Sequence, residues 1–364
     1  MIKIHVNKKR WYFALLNCVL VLLALICLLV FRHIAGTLDS VHAADRWRGG
    51  SEMRFAQVAC FLPVDSPKTQ DDILKFRRTL DQKLVDASLE APEGGSLYTD
   101  AYSGSTKLTV SGDHGSAEVK AIGVGGNFFL FHPLQLRSGS YLSETDLMQD
   151  RVILDEALAW QLFGSPDVSG MTVTIGGNPY YVAGVIRREN DFATKEAYLD
   201  GAGMFISYSA FQALTQPSSD TETASATGGI TCYEIVLPDM IDGFGKSLVK
   251  GNFDVGTGDI VENSSRYSVS NLLSIAKDYG LRSMRNNGVI YPYWENAVRL
   301  TEDYLALLLV LIMLFALFPV ITCIVLAIRT IIRVYRRERV RVPKEIDALI
   351  EKEREKKYAQ SGEK

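Results

Sequence analysis

Gly243-Phe-Gly-Lys-Ser247 is the segment whose residue types come nearest to chemistry. A loop ending in Gly-Lys-Ser can cradle phosphates. That loop also needs a glycine five residues ahead of Gly245, and position 240 is Met. A helix with an exposed lysine is expected instead. Gly123-Val-Gly-Gly126 fails as a dinucleotide loop because its third glycine is misplaced. Of five histidines, His114 and His132 fall in the middle of the chain. Neither has Cys, Asp or Glu at ligand spacing, and neither completes a Ser-His-Asp set. Asp71-Asp72 and Asp155-Glu156 stand where helices should begin, a place the helix dipole favours for acids. No catalytic constellation, metal or cofactor is therefore expected.

The elements around these residues are dominated by two apolar runs. Trp11–Phe31 and Tyr304–Ile328 carry no formal charge. At about 1.5 Å per residue each can cross a hydrocarbon core of roughly 30 Å as a helix. Val41-His42-Ala43 resembles a cleavage site, but it lies well past the first run, so an uncleaved anchor is expected. Asn17 and Thr322 are polar groups inside the runs and are candidates for interhelical contact. Pro319 should bend the second run.

Charge sets the orientation. Residues 1–10 carry +4 and residues 329–364 carry +5, leaving −12 between the runs for the overall −3. Basic flanks stay inside, so both termini are expected in the cytoplasm and the acidic middle outside. Arg329, Arg333, Arg336, Arg337, Arg339 and Arg341 form a basic cluster for anionic headgroups. After Pro343, residues 344–358 place Ile346, Leu349 and Ile350 on one helical face, either as a solvated anchor or as a contact for a cytoplasmic partner.

Two cysteines lie outside the runs. Cys60 and Cys232 each sit in a strand-like segment, Phe55–Leu62 and Ile230–Leu237. Buried thiols are the simpler expectation, and a bond between neighbouring strands is the other.

The fold class expected is α+β: two transmembrane helices flanking a two-lobed extracytoplasmic domain. The divisions are 1–10 as the cytoplasmic N-terminus, 11–31 as the first span and 32–48 as a helical stalk. An α/β lobe follows over 49–112 and 203–290, with a β-rich lobe inserted at 113–202. A second stalk takes 291–303, the second span 304–328 and the basic tail 329–364. Within the α/β lobe, Thr69 with Asp72 is a capping-box pattern ahead of Ile73, Phe76, Leu80 and Leu84. Strands are expected over Leu97–Tyr102, Thr106–Ser111 and Ala117–Ile122, after a break at Pro92–Gly95. Helices are expected over Asp155–Phe163, closed by Gly164, and over Ile241–Val249 and Leu272–Asn287. Gly176–Pro179 signals a hairpin, and Gln216–Gly229 a polar loop.

Five phrases of the middle third carry a family resemblance. They are Gly123-Val-Gly-Gly-Asn-Phe-Phe-Leu, Leu136-Arg-Ser-Gly-Ser-Tyr-Leu, Val152-Ile-Leu-Asp-Glu-Ala-Leu-Ala-Trp-Gln-Leu-Phe-Gly, Gly170-Met-Thr-Val-Thr-Ile-Gly-Gly and Tyr181-Val-Ala-Gly-Val-Ile. In this order they resemble the extracytoplasmic core domain of MacB-type ABC transporter permeases. The organisation is similar over roughly residues 50–250 and sharply so over 120–187. The resemblance implies a membrane subunit coupled to an ATP-binding cassette ATPase, with mechanical transmission from the spans to the outer lobes. Those permeases have one span before the domain and three after it, whereas a single run follows here. A short two-span form, half of a permease, is therefore expected to need a further permease subunit. Membrane lipids and oligomeric assembly are the other expected partners, and nucleic acid is not one. The alternative is a non-transport accessory or sensor whose outer domain binds a peptide, lipoprotein or envelope partner.

Overall fold

The computed structural model describes residues 8–361 except 90, 92–94, 145, 199–200, 216–227 and 280–287. The expected loop at 216–229, the break at Pro92–Gly95 and the end of the expected helix 272–287 thus fall wholly or largely outside the described residues. The chain forms two compact units, Met1–Phe31 with Leu308–Lys364, and Arg32–Leu307.

The first unit is helical. Helix α1 (Lys8–Ala35) is apolar all round, and none of its most apolar stretch is buried. The apolar stretch of the C-terminal helix, within Tyr293–Arg337, is also almost wholly exposed. A soluble core helix would be covered by protein. Bare apolar faces of this length fit a hydrocarbon solvent.

In the second unit the helix stops at Ala35, and Gly36 and Thr37 turn back on His33 and Ile34. Where a helical stalk was expected over 32–48, the chain makes a 3₁₀ turn (Asp39–Val41) and a short helix α2 (Ala43–Arg48), with Ala43 and Ala44 buried. Then come β1 (Phe55–Phe61), α3 (Gln70–Asp86), β2 (Thr99–Gly112), β3 (Gly115–Gly126), α4 (Phe128–Phe131) and β4 (Gln135–Gly139). Next are β5 (Arg151–Asp155), α5 (Glu156–Phe163), β6 (Thr172–Ile175), β7 (Asn178–Arg187), α6 (Phe192–Ala197), β8 (Gly203–Ser207) and α7 (Tyr208–Thr215). The run closes with β9 (Cys232–Pro238), α8 (Phe244–Asn252), β10 (Asp259–Glu262), α9 (Val269–Lys277) and α10 (Tyr293–Ser361). Helix α10 passes through Pro319 and Pro343, so Pro343 lies inside a helix rather than opening one.

Among the described residues ten strands join one mixed sheet, ordered β10-β1-β9-β2-β3-β8-β5-β7-β4, with β6 against β2 and β7. The pairs β3–β8 and β5–β7 are parallel and the others antiparallel. Residue 113, the expected lobe boundary, falls in the turn between β2 and β3, and the strands on either side share this one sheet. The expected strands 97–102 and 106–111 are one strand. Gly104 does not break it. A Cβ there would stand 2.3 Å from the Gly229 carbonyl oxygen, so the glycine admits a neighbouring backbone.

Strand alternation distributes the core to two faces. On β1, Ala56, Val58 and Cys60 join one cluster, while Ala59 and Phe61 join the other. Helices α3, α5, α7 and α8 cover the first face. Ile73, Phe76, Leu80 and Leu84 form the buried stripe of α3, whose capping box is present as expected. Full burial of each such side chain contributes about 1.5–3 kcal/mol. The second face is covered by α2, α4 and the first turn of α10, through Ala43, Ala44, Phe128, Phe131, Tyr293 and Trp294. Strand β4 has a bulge between Leu136 and Ser138, and among the described residues it pairs with β7 alone.

Candidate functional site

The segment 291–303, expected as a stalk, is half buried in the outer domain. Trp294, Glu295, Ala297, Val298, Thr301 and Glu302 are all buried. Glu295, Val298, Glu302 and Leu305 recur at helical spacing on one face of α10, so two carboxylates lie in its apolar stripe. Burying an isolated carboxylate is prohibitive, and each of these is paired.

The partner is Arg266, from the connection between β10 and α9, itself only 2% exposed. Its Nη1 and Nη2 donate to Glu295 Oε2 and Oε1, both at 2.7 Å. Its Nε donates to Glu302 Oε1 at 2.7 Å, and Nη1 also donates to Asn263 Oδ1 at 2.9 Å. Arg299 donates from Nε to the same Glu295 Oε1 at 2.6 Å, and its guanidinium lies 3.7 Å from the centre of the Tyr291 ring. Burial works against the Glu295 charge, but Arg266 and Arg299 still hold its carboxyl below the ordinary value. Burial likewise opposes the Arg266 charge and is outweighed by Glu295 and Glu302.

Two further polar ties reach the same turn of α10. His132, at the end of α4, contacts Glu234 on β9 (Nε2 to Oε2, 2.5 Å). Its ring lies 4.5 Å from that of Trp294 and 4.7 Å from that of Phe128. His132 thus has a buried carboxylate partner on β9. Tyr293 hydrogen-bonds Glu189, just past β7, and burial raises the pKa of both groups.

The other end of the domain is rooted on the same face. Gln57 of β1 accepts from Ala43 N at 2.9 Å and donates to Ser40 O at 2.6 Å. Arg46 of α2 donates to the Leu130 and Phe131 carbonyls at 2.9 and 3.1 Å. Leu38 and Val41 share a small cluster with Ala297 and Val298. The segment that follows α1 and the segment that opens α10 therefore meet under one face of the sheet.

A cleft of about 770 Å³ opens elsewhere, lined by Arg77, Tyr98, Asp100, Phe129, Tyr141 and Glu144 among others. Arg77 grips Asp100 with two hydrogen bonds of 2.8 and 2.7 Å, and Asp100 also accepts from Tyr233 at 2.9 Å.

The glycine phrases have structural duties. A Cβ on Gly123 would come within 2.3 Å of the Phe211 ring, so this glycine seats α7 against β3. At the start of α8, the Gly245 N–H donates to Asp239 Oδ1 at 3.0 Å, so a carboxylate already holds that amide.

Residues 58–233 match the model of a family described as the MacB-like periplasmic core domain. Within the outer part, residues 58–233 are a MacB-like domain. Among solved structures, the MacB-like domain is similar to the periplasmic region of MacB from Actinobacillus actinomycetemcomitans. The two are 16% identical over 59% of this chain and 92% of that one, with a TM-score of 0.39. It is also similar to the extracellular domain of the ABC-type transporter YknZ from Gram-positive bacteria. Here the identity is 15% over 57% of this chain and 100% of that one, with a TM-score of 0.35. No curated protein matches. A MacB-like periplasmic domain between two apolar helices is the composition of a membrane component of an ABC-type transporter, with the domain on the extracytoplasmic side.

The residues singled out in the helices fall as follows. Asn17 Nδ2 donates to Phe13 O and Thr322 Oγ1 to Phe318 O, each within its own helix, at 2.8 and 2.9 Å. The Phe13 and Phe318 rings meet at 5.4 Å, and Asn17 Oδ1 is buried without a hydrogen bond. Arg329, Arg333, Arg336 and Arg337 are exposed around Ile332. The side chains of Arg339 and Arg341 lie outside the described residues. Ile346, Leu349 and Ile350 are all exposed on α10. Cys60 and Cys232 lie on paired strands, but Cys60 faces one core and Cys232 the other. Both are free, and burial pushes both thiols up.

Reading the sequence alone missed Arg266, Glu295, Arg299 and Glu302. The signal available was two acids at i and i+7 sharing a stripe with Val298 and Leu305.

Proposed function

We propose that this chain is the membrane subunit of an ABC-type transporter complex resembling half of a MacB-type permease. A cytoplasmic ATP-binding cassette ATPase acts on it in trans, and a further permease subunit completes the membrane part. Both termini are cytoplasmic in a bacterial cell membrane. Arg329, Arg333, Arg336, Arg337, Arg339 and Arg341 lie against anionic headgroups, each contributing about 1 kcal/mol near the surface. The face bearing Ile346, Leu349 and Ile350 docks on the ATPase side of the complex.

The supporting observation is the common root of the two legs. Arg266 clamps the head of α10 while Gln57 and Arg46 clamp the segment after α1, all on one sheet face. Displacement of either leg would be felt by the same layer of the outer domain, as a lever mechanism requires. The test is purification from native membranes in mild detergent with mass spectrometry of what accompanies the chain. An ATP-binding cassette ATPase and a permease subunit are expected, and recovery of the chain with neither sinks the proposal. Cysteine labelling on whole cells tests orientation, with residues 50–279 reactive from outside and the tail protected.

A second reading is an accessory or sensor whose outer domain binds a peptide or envelope partner. The cleft beside Arg77 and Glu144 favours it. Under that reading, substitutions in the cleft abolish partner capture while those at Arg266 do not.

A further inference from the structure

Three carboxylates converge where β9, the loop before α8 and the end of β10 meet. Asp239, Asp242 and Glu262 each place one oxygen within 4.8 Å of the others. Asp239 is 0% exposed and Glu262 8%. Asp239 Oδ1 is taken by the Gly245 amide, while Asp239 Oδ2 and Glu262 Oε1 are buried with no hydrogen bond. Buried polar oxygens in this state are rare in folded proteins, and each calls for a missing partner. One cation is at hand: Arg54 Nη2 stands 3.3 Å from Asp239 Oδ2 and donates to Asp242 Oδ1. Three carboxylates face this one paired guanidinium, and the Lys246 ammonium and the Ser265 hydroxyl also act on Glu262.

We infer that Asp239, Asp242 and Glu262 form a binding site for a divalent cation of the calcium class. Calcium takes carboxylate oxygens at about 2.3–2.6 Å, so oxygens on opposite sides of one ion stand up to about 5 Å apart, a limit that the three oxygens here satisfy. The geometry tolerated by calcium is irregular, which suits ligands fixed by a strand end and a helix start. Magnesium demands tighter octahedral order. A bound ion would give Glu262 Oε1 a partner and take the place of Arg54 beside Asp239 Oδ2. Arg54 is half exposed at its side chain and can withdraw toward solvent when the ion enters. The ion would tie the edge strand β10 to the β9–α8 corner, four residues before Arg266. This inference stands independently of the transporter assignment.

The test is calorimetric titration of CaCl₂ into the full chain in detergent after chelation and dialysis. One saturable site per chain is expected, in the affinity range of about 10⁻⁴–10⁻³ M found for extracellular calcium modules. Asp242→Asn and Glu262→Gln should weaken it at least about tenfold, and Arg54→Gln should tighten it by removing the competing charge. Asp242 is exposed, so its variant reports on the site even if Glu262→Gln folds poorly. No saturable binding, unchanged affinity in Asp242→Asn, or equal affinity for Mg²⁺ would overturn the assignment.

Discussion

Arg266 and Glu295 face each other across two hydrogen bonds of 2.7 Å, with both side chains almost wholly removed from solvent. The pair fastens the connection after β10 to the head of α10. Removing one member leaves the other charge buried and unpaired, which typically costs about 3–5 kcal/mol. Arg266→Ala and Glu295→Ala should therefore lower the thermal midpoint of the purified chain strongly. Glu302→Gln, which keeps a hydrogen-bonding shape, should cost less. Equal stability of Arg266→Ala and the parent chain would remove the clamp from the account.

The same pair sets an acid limit. The Glu295 carboxyl is held below its ordinary value in the folded protein. Its stabilising contribution is fully present above the unfolded-state pKa of about 4.3 and is lost as pH falls through the folded pKa. Unfolding monitored from pH 7 to pH 3 should show this loss in the parent chain. Glu295→Gln should have a flatter profile.

Glu262 behaves in the opposite sense. Burial and the nearby Asp239 and Asp242 raise its pKa, so its ionisation works against folding as pH rises from the ordinary carboxylate value through the folded one. In calcium-free buffer Glu262→Gln should be no less stable than the parent at neutral pH, and the gap should narrow toward pH 4. A thermal-unfolding series across that range gives the comparison.

Cys60 and Cys232 should stay reduced. Residues Cys60 and Tyr233 are register partners, as are Phe61 and Cys232, so the two thiols project to opposite faces. A disulfide needs its Cβ vectors to point toward one another. Oxidation of the folded chain should give no intramolecular Cys60–Cys232 link by mass spectrometry, and both thiols should react with maleimide only after denaturation.

Gly123→Ala should destabilise by about 1–3 kcal/mol, the usual cost of overpacking. Its Cβ would meet the Phe211 ring at 2.3 Å. A smaller side chain at Phe211 should recover part of the loss, and a double-mutant cycle measures that coupling.

Local signals carried much of this architecture. Thr69 and Asp72 announce α3, Asp155 and Gly164 bracket α5, and the two apolar runs declare themselves by length. The five phrases between Gly123 and Ile186 pointed to the MacB-like domain that the family match bears out. The clamp was hidden for a physical reason: Arg266 lies 29 and 36 residues from Glu295 and Glu302, and His132 lies 102 from Glu234. No periodicity links such distances; only the sheet brings them together. The segment after the first span misled because its spacing suits a helix, while Gly36 stops the helix and two small alanines let α2 settle on the sheet.

The bulge in β4 has one last effect. A straight outermost strand offers unmet amide and carbonyl groups on which a stranger's chain can stack, the first step toward aggregation. Here the irregularity at Leu136 to Ser138 and the charged Arg137 spoil that template. Anything that docks along this border must recognise its side chains, because sheet extension is discouraged there.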